Sequence, residues 1–415
     1  MTTLVLPGRP PASPLTADTK TGDLPPWVLP TLMAFTLSYQ LWLCALQTHL
    51  GLGGNAMVIL AELALVVTCA ALQARQVPVS LAAVLTLLLA NGVALAVARG
   101  DVDAKILRDL LAPVLFLGLG WRFAGLETGD RVLRWAIWLV LAFAAFEFWA
   151  LDLFTRLFDV YGYYLARGVG DASMAEYRTD KLVASGIRPE GIGRTLLPFL
   201  GPHRASSVFI EPVSLGNFAT ICAAWGLARD RAQWRQGAFF VIAALVMLVF
   251  SDSRFGLGAI GLMVFLRLAL VRGSEWVAIL FPLFALAGLV GAAWLNGTAY
   301  SDSYAGRLAV TGHVLLAMGL DQYFGVAPIT DPFYDMGYPY LLSRNGVLAT
   351  LLLWAAWWLM PVADDPGRRF RALAALYVSL ILCVSGTSVF ALKTSAMLWF
   401  LMGCLGASGA ARRAP

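Results

Sequence analysis

The sequence predicts an all-α, polytopic membrane protein with about twelve transmembrane helices and two long outer loops. Three observations lead there. Of 415 residues, 59% are hydrophobic and 13% charged, whereas soluble domains carry about a quarter charged residues. The mean hydropathy is +0.74. Apolar runs of bilayer length recur along the chain, and alternate connections between them are rich in arginine.

Residues 1–26 hold Arg9, Lys20 and several prolines without an apolar run, which reads as a cytoplasmic tail and not a cleavable signal peptide. A single transmembrane domain, 27–407, follows. Its apolar runs fall at 27–47, 55–72, 79–97, 106–121 and 133–154. They resume at 207–227, 238–250, 256–270, 276–295, 340–360, 373–383 and 390–405, and 408–415 forms a second tail. With the N-terminus inside, Arg75, Arg122, Arg131, Arg134, Arg229, Arg231, Arg235, Arg267 and Arg272 fall on the cytoplasmic side, as do Arg368, Arg369, Arg371, Arg412 and Arg413. This is the positive-inside pattern, and it makes both termini cytoplasmic. The connections 155–206 and 296–339 then lie outside; apolar patterning such as 308–320 predicts short helices within them.

Several function classes drop out. The five cysteines (Cys44, Cys69, Cys222, Cys383, Cys404) sit inside apolar runs without CxxC spacing, so they read as packing residues. His49, His203 and His313 are scattered, and no metal or other cofactor is expected. The net charge of +5 fits cytoplasmic arginines, and nothing resembles a nucleic-acid patch.

The candidate site starts at residues 204–216. Glu211 stands where a polar connection enters an apolar run, and Pro212 pushes it out of helical geometry. A carboxylate at that depth is costly and calls for a partner; a solvated helix start is the plainer alternative. Arg204, Arg254 and Arg307 each lie at the outer end of a run. Guanidinium forks grip phosphate oxygens in a bidentate way, so the three together suit a pyrophosphate near hydrocarbon, whereas one alone would be a snorkelling headgroup contact. Ser207 and Ser253 neighbour these charged groups as further substrate-binding candidates. Asp335, ahead of Gly337 and Tyr338, reads as either a general base or a turn aspartate. His313 follows Arg307 on a predicted helix and is either a packing residue or part of the site. Within the runs, Glu62 and Glu147 are acidic outliers and Arg108 and Asp109 form a charged start to a span; Glu147 and Lys393 are each open to a proton path, an ion pair or a polar cavity.

Four stretches taken in order resemble a known family. They are "RASSVFIEPVSLGNF" (204–218), "SDSRFGLGAIG" (251–261), "GRLAVTGHVLLAMGLDQYFGVAP" (306–328) and "DMGYPYLLSRNGVLATLLL" (335–353). Their pattern is similar to that of the bacterial O-antigen polymerase (Wzy) and O-antigen ligase superfamily. The resemblance implies a GT-C-like membrane glycosyltransferase of the inner membrane, metal-independent and inverting, with a periplasmic active site. Its substrates would be undecaprenyl-pyrophosphate-linked oligosaccharides, and chain-length regulators or export proteins would be partners beside the lipid bilayer. By the same resemblance, Arg204, Arg254 and Arg307 would hold the pyrophosphate, Glu211 would organise them or bind sugar, and Asp335 with Tyr338 would sit at the acceptor. The ligase pattern has a histidine where Asp335 stands, which favours a polymerase over a ligase; a ligase or protein-glycosylating relative with the same donor is the nearest alternative. A transporter or flippase of lipid-linked sugars is the rival from another class.

Overall fold

The structure, a computed structural model, describes residues 24–74, 77–168, 182, 186–187, 193–269, 275–297, 303–329, 333, 336–362 and 364–411. Among the described residues it is helical throughout its regular elements, with no strand and one isolated β-bridge between Ile187 and His203. The first half comprises α1 (Val28–Leu50), α2 (Asn55–Gln73), α3 (Val79–Arg99), α4 (Ala104–Phe123) and α5 (Leu126–Trp149), then the short α6 (Leu151–Leu157) and α7 (Val160–Ala166). The second half comprises α8 (Pro212–Leu227), α9 (Trp234–Ser251), α10 (Arg254–Ala269), α11 (Phe281–Leu295), α12 (Tyr304–Ala317) and α13 (Leu320–Tyr323). It closes with α14 (Gly337–Leu359), α15 (Asp365–Ile381) and α16 (Leu392–Ala411).

A helix occupies each of the twelve apolar runs, and among the described residues six segments are long and apolar enough to cross a membrane: α1, α2, α3, α5, and the stretches Arg231–Ser251 and Glu275–Leu295. The others differ for visible reasons. α4 opens with Lys105, Arg108 and Asp109, α8 and α10 have only 16 residues each, and α14 is broken at Gly346. Short helices form in both long connections, as the patterning predicted. The run 133–154 does not continue unbroken: Ala150 (φ −127, ψ 49) divides it into α5 and α6. α16 runs to Ala411, past the expected start of the tail at 408.

Local chemistry fixes the ends. The Asp103 carboxylate accepts from the Lys105 and Ile106 N–H groups at 2.8 and 3.3 Å and starts α4. Asp364 caps α15 through the Gly367 N–H at 2.8 Å, and Gly51 ends α1 in the left-handed conformation.

Close backbone contact organises the bundle. α16 lies against α4, where a Cβ on Gly403 would stand 2.0 Å from the Leu117 carbonyl oxygen and one on Gly120 2.1 Å from that of Phe400. With no hydrophobic drive between helices in lipid, small residues of this kind give the van der Waals contact that holds helices together. α8 is the central helix: fourteen of its sixteen residues are buried, and α9, α10, α15 and α16 surround it. The loop carrying Glu211 therefore feeds the middle of the protein.

Gly403→Ala should lower the melting temperature of the detergent-purified protein, by overpacking of about 1–3 kcal/mol. Gly261→Ala, whose Cβ would meet open space, should leave it unchanged or raise it slightly. Equal effects from the two would contradict the close α4–α16 contact.

Candidate active site

The loop before α8 is set by a carboxylate from α5. Glu147 is fully buried, and its Oε2 accepts from the Ser206 and Ser207 N–H groups at 2.8 and 2.6 Å. The Ser207 hydroxyl donates to the Val140 carbonyl at 2.6 Å, and His203 Nε2 lies 3.5 Å from Glu147 Oε1. These contacts hold the 3-10 turn Ser207–Phe209, where Ser207 (φ 56) and Ile210 (φ 54) adopt left-handed conformations without being glycine. Each such residue costs about 1–3 kcal/mol and persists only where its surroundings impose it. Of the readings open for Glu147, the structure selects a structural one, as acceptor for two buried N–H groups. The apolar run expected to be helical from 207 thus becomes helical only at Pro212, which takes the first helical position.

Glu211 is left as the extended N-cap of α8 (φ −142, ψ 124), with 38% of its side chain exposed. Its Oε1 accepts from the Tyr164 hydroxyl at 2.6 Å and its Oε2 from the Ser214 hydroxyl at 2.9 Å; Lys393 Nζ lies 3.1 Å from Oε2. The ion-pair partner of Glu211 differs from the expected one: the counter-charge is a lysine from α16 and not the arginine cluster. α16 packs on α1 and α8, which brings its first turn beside the loop, and a lysine stem spans the remaining gap.

Two of the three arginines meet at the α9–α10 turn. Arg204 is buried, its N–H bonds the Gly186 carbonyl at 2.8 Å, and its Nε donates to the Ser251 carbonyl at 2.9 Å. Arg254, exposed at the start of α10, donates from Nε to the Thr195 hydroxyl at 2.6 Å. Between them, buried Asp252 accepts from the Thr195 and Leu196 N–H groups at 2.9 and 2.8 Å. Ser253 accepts from the Gly256 N–H at 3.1 Å and lies against Gly216 of α8, where a Cβ would be 2.2 Å from its oxygen. That contact couples the turn to the helix that Glu211 begins. Arg194, which sequence reasoning did not single out for the site, braces the same turn through the carbonyls of His203 and Val249. Its signal was a guanidinium in the long connection, indistinguishable there from its neighbours.

The remaining candidates are placed elsewhere. Arg307 is on α12, which packs on α11 and α14, so the pyrophosphate trio is not shown as one cluster. His313 Nε2 lies 3.2 Å from the Asn296 carbonyl, a brace between α12 and the end of α11. Tyr338, expected at the acceptor, is buried: its N–H bonds the Leu382 carbonyl at 2.9 Å and its hydroxyl donates to Ser379 at 3.2 Å. Its bulky ring anchors α14 to α15. Asp335 lies outside the described residues. Among the described residues, no group of three or more His, Cys, Asp or Glu side chains is arranged to hold a metal.

From Lys393 a line of polar contacts runs through the bundle. Its ammonium donates to Gln40 Oε1 at 2.8 Å and to the Phe209 carbonyl at 3.1 Å. Gln40 Nε2 donates to the Tyr39 hydroxyl at 3.1 Å, which donates to Glu62 Oε1 at 2.7 Å. Arg108 donates to Glu62 Oε2 at 2.8 Å and to Asp109 Oδ1 at 2.9 Å. The Tyr340 hydroxyl reaches Asp109 Oδ2 at 2.6 Å, and Arg344, paired with Asp103, lies 4.9 Å above the Tyr340 ring. The charged outliers Glu62, Arg108, Asp109 and Lys393 thus form ion pairs. Tyr39, Gln40 and Arg344 were missed; their signal was the presence of polar groups opposite these outliers inside apolar runs. Just beyond Arg344, α14 breaks at Gly346 (φ 74, ψ 162), and Arg99 donates to the freed Ser343 and Arg344 carbonyls at 2.8 Å each.

No family model matches the chain, and no curated protein or solved structure is similar to it.

Glu147→Ala should strand the Ser206 and Ser207 N–H groups and destabilise the purified protein by about 2–6 kcal/mol, at 1–3 kcal/mol for each unsatisfied group. Glu147→Gln keeps an acceptor oxygen and should lose clearly less in a thermal melt. Equal losses would deny Glu147 its role as backbone acceptor.

Proposed function

We propose that this chain is a polysaccharide polymerase of the inner membrane, a metal-independent glycosyltransferase that works at the periplasmic face. It moves a growing glycan from an undecaprenyl-pyrophosphate carrier to the terminal hydroxyl of a lipid-linked repeat unit. The observation that carries this reading is a partly exposed Glu211, paired with Lys393 at the start of the central helix and coupled through Gly216 and Ser253 to the turn that carries Arg254 and is held by Arg204.

The chemistry follows from those groups. The acceptor hydroxyl oxygen attacks the anomeric carbon from the face opposite the pyrophosphate, the carbon–oxygen bond to phosphate breaks, and the configuration inverts. Negative charge grows on the departing pyrophosphate, where fixed guanidinium groups are worth most. The acceptor proton passes to a carboxylate, Asp335 or Glu211 by position in the sequence. Lys393 orients Glu211, which suits either a proton acceptor or a hydrogen-bond partner for a sugar hydroxyl.

Arg254→Lys is exposed and should leave the protein level in the membrane unchanged while surface polysaccharide shortens to single repeat units. Polymer of normal length would reject the pyrophosphate role. Full-length chains stranded on the lipid carrier after loss of the protein would point instead to a ligase or protein-glycosylating transferase with the same donor. A second reading, transport of lipid-linked oligosaccharide, draws on the polar line from Lys393 to Tyr340. Movement of lipid-linked sugar across liposomes without chain growth would establish that reading over the first.

A further inference from the structure

A groove at the other end of α5 is unrelated to the residues above. Arg131, Arg134, Trp135 and Trp138 follow an i, i+3, i+4, i+7 spacing and so share one face of the helix. Together with Gln236 of α9 and Glu127 they line a cavity of about 560 Å³, large enough for a small ligand. Trp135 and Trp138 are 64% and 60% exposed, large apolar surfaces that water would not favour.

The charge in this groove is positive and in part uncommitted. Asp130 also lines it, but its Oδ1 takes the Trp225 N–H at 2.7 Å and pairs with buried Arg229. Arg134 lies 4.0 Å from the other Asp130 oxygen and over the Phe240 ring, and Arg131 has no ion-pair partner among the described residues. With Arg229 cancelling Asp130, the two arginines outnumber Glu127, and Arg235 stands next to Gln236.

Height along the helix supplies the second half of the case. At 1.5 Å per residue, Trp138 lies about 10 Å further into the bundle than Arg131. Arg131 near the helix end, Arg134 level with the Trp135 ring, and Trp138 a further turn deeper match the order of phosphate, glycerol and upper acyl chain in a phospholipid. Tryptophan takes up that interfacial depth, and basic pockets between helices bind anionic headgroups.

We propose that this groove between α5 and α9 is a binding site for the phosphate of an anionic phospholipid, with Arg131 and Arg134 on the headgroup and Trp135 and Trp138 against the glycerol and chains. The site stands apart from the proposed transfer activity. It is tested on the full chain in neutral detergent, with bound lipid counted by native mass spectrometry after adding equal phosphatidylglycerol and phosphatidylcholine. The wild type should retain phosphatidylglycerol preferentially, and Arg131→Ala with Arg134→Ala should weaken that retention by about thirtyfold, the product of two surface arginines. Arg368→Ala, an exposed arginine elsewhere, should change nothing. Arg131→Gln alone, with no ion pair to lose, gives a smaller loss in the same direction and guards against misfolding of the double variant. Unchanged phosphatidylglycerol retention in the variants, or equal retention of both lipids by the wild type, would overturn the site. Displacement of the lipid by millimolar inorganic phosphate would overturn it as a lipid site and leave a free-phosphate site.

Discussion

The ion pair between Glu211 and Lys393 joins the two halves of this protein. One partner stands at the N-terminus of the central helix α8, and the other in the first turn of the last helix, α16. Lys393 is almost fully buried, and a buried ammonium without its carboxylate would be a large uncompensated cost. Its place is set by backbone packing: the Gly120–Gly403 contact locks α16 onto α4, and α16 also lies along α1. Through Gln40 and Tyr39 the same ammonium connects to Glu62, Arg108 and Asp109. Packing of small residues thus fixes the electrostatics of the candidate site.

Two interruptions of helical backbone flank this line, and each is satisfied by side chains from other helices. Glu147 takes the N–H groups of Ser206 and Ser207, while Arg99 and Asn91 take the carbonyls freed before Gly346. Irregular backbone at such depth is tolerated only where protein or a polar cavity meets its hydrogen bonds. The left-handed Ser207 and Ile210 aim Glu211 toward Tyr164 and Lys393, so local strain at the loop is spent on the orientation of one carboxylate.

Hydropathy located a helix in every apolar run, because twenty apolar residues have few other ways to satisfy their backbone. It misjudged starts where charged residues open a helix: α5 begins at Leu126, ahead of Arg131 and Arg134, and α15 at Asp365, ahead of Arg368 and Arg369. Charge at the ends of apolar runs marked Glu211, Arg204 and Arg254, and the structure brings the two arginines to one turn. The identity of partners was not legible. Glu211 and Lys393 lie far apart in the chain, and only the three-dimensional approach of α16 to α8 pairs them. Tyr338 was misread because a tyrosine after a glycine bend gives no sign of which helix will cover it.

A double-mutant cycle on Glu211→Gln and Lys393→Met, read as thermal stability of the purified protein and as glycan chain growth in the same membranes, tests the pair most directly. If the ion pair holds the site together, the double variant should be no worse than the poorer single variant, with a coupling of about 0.5–3 kcal/mol in stability. Losses that simply add would show that Glu211 and Lys393 act independently, and would contradict a site organised around their contact.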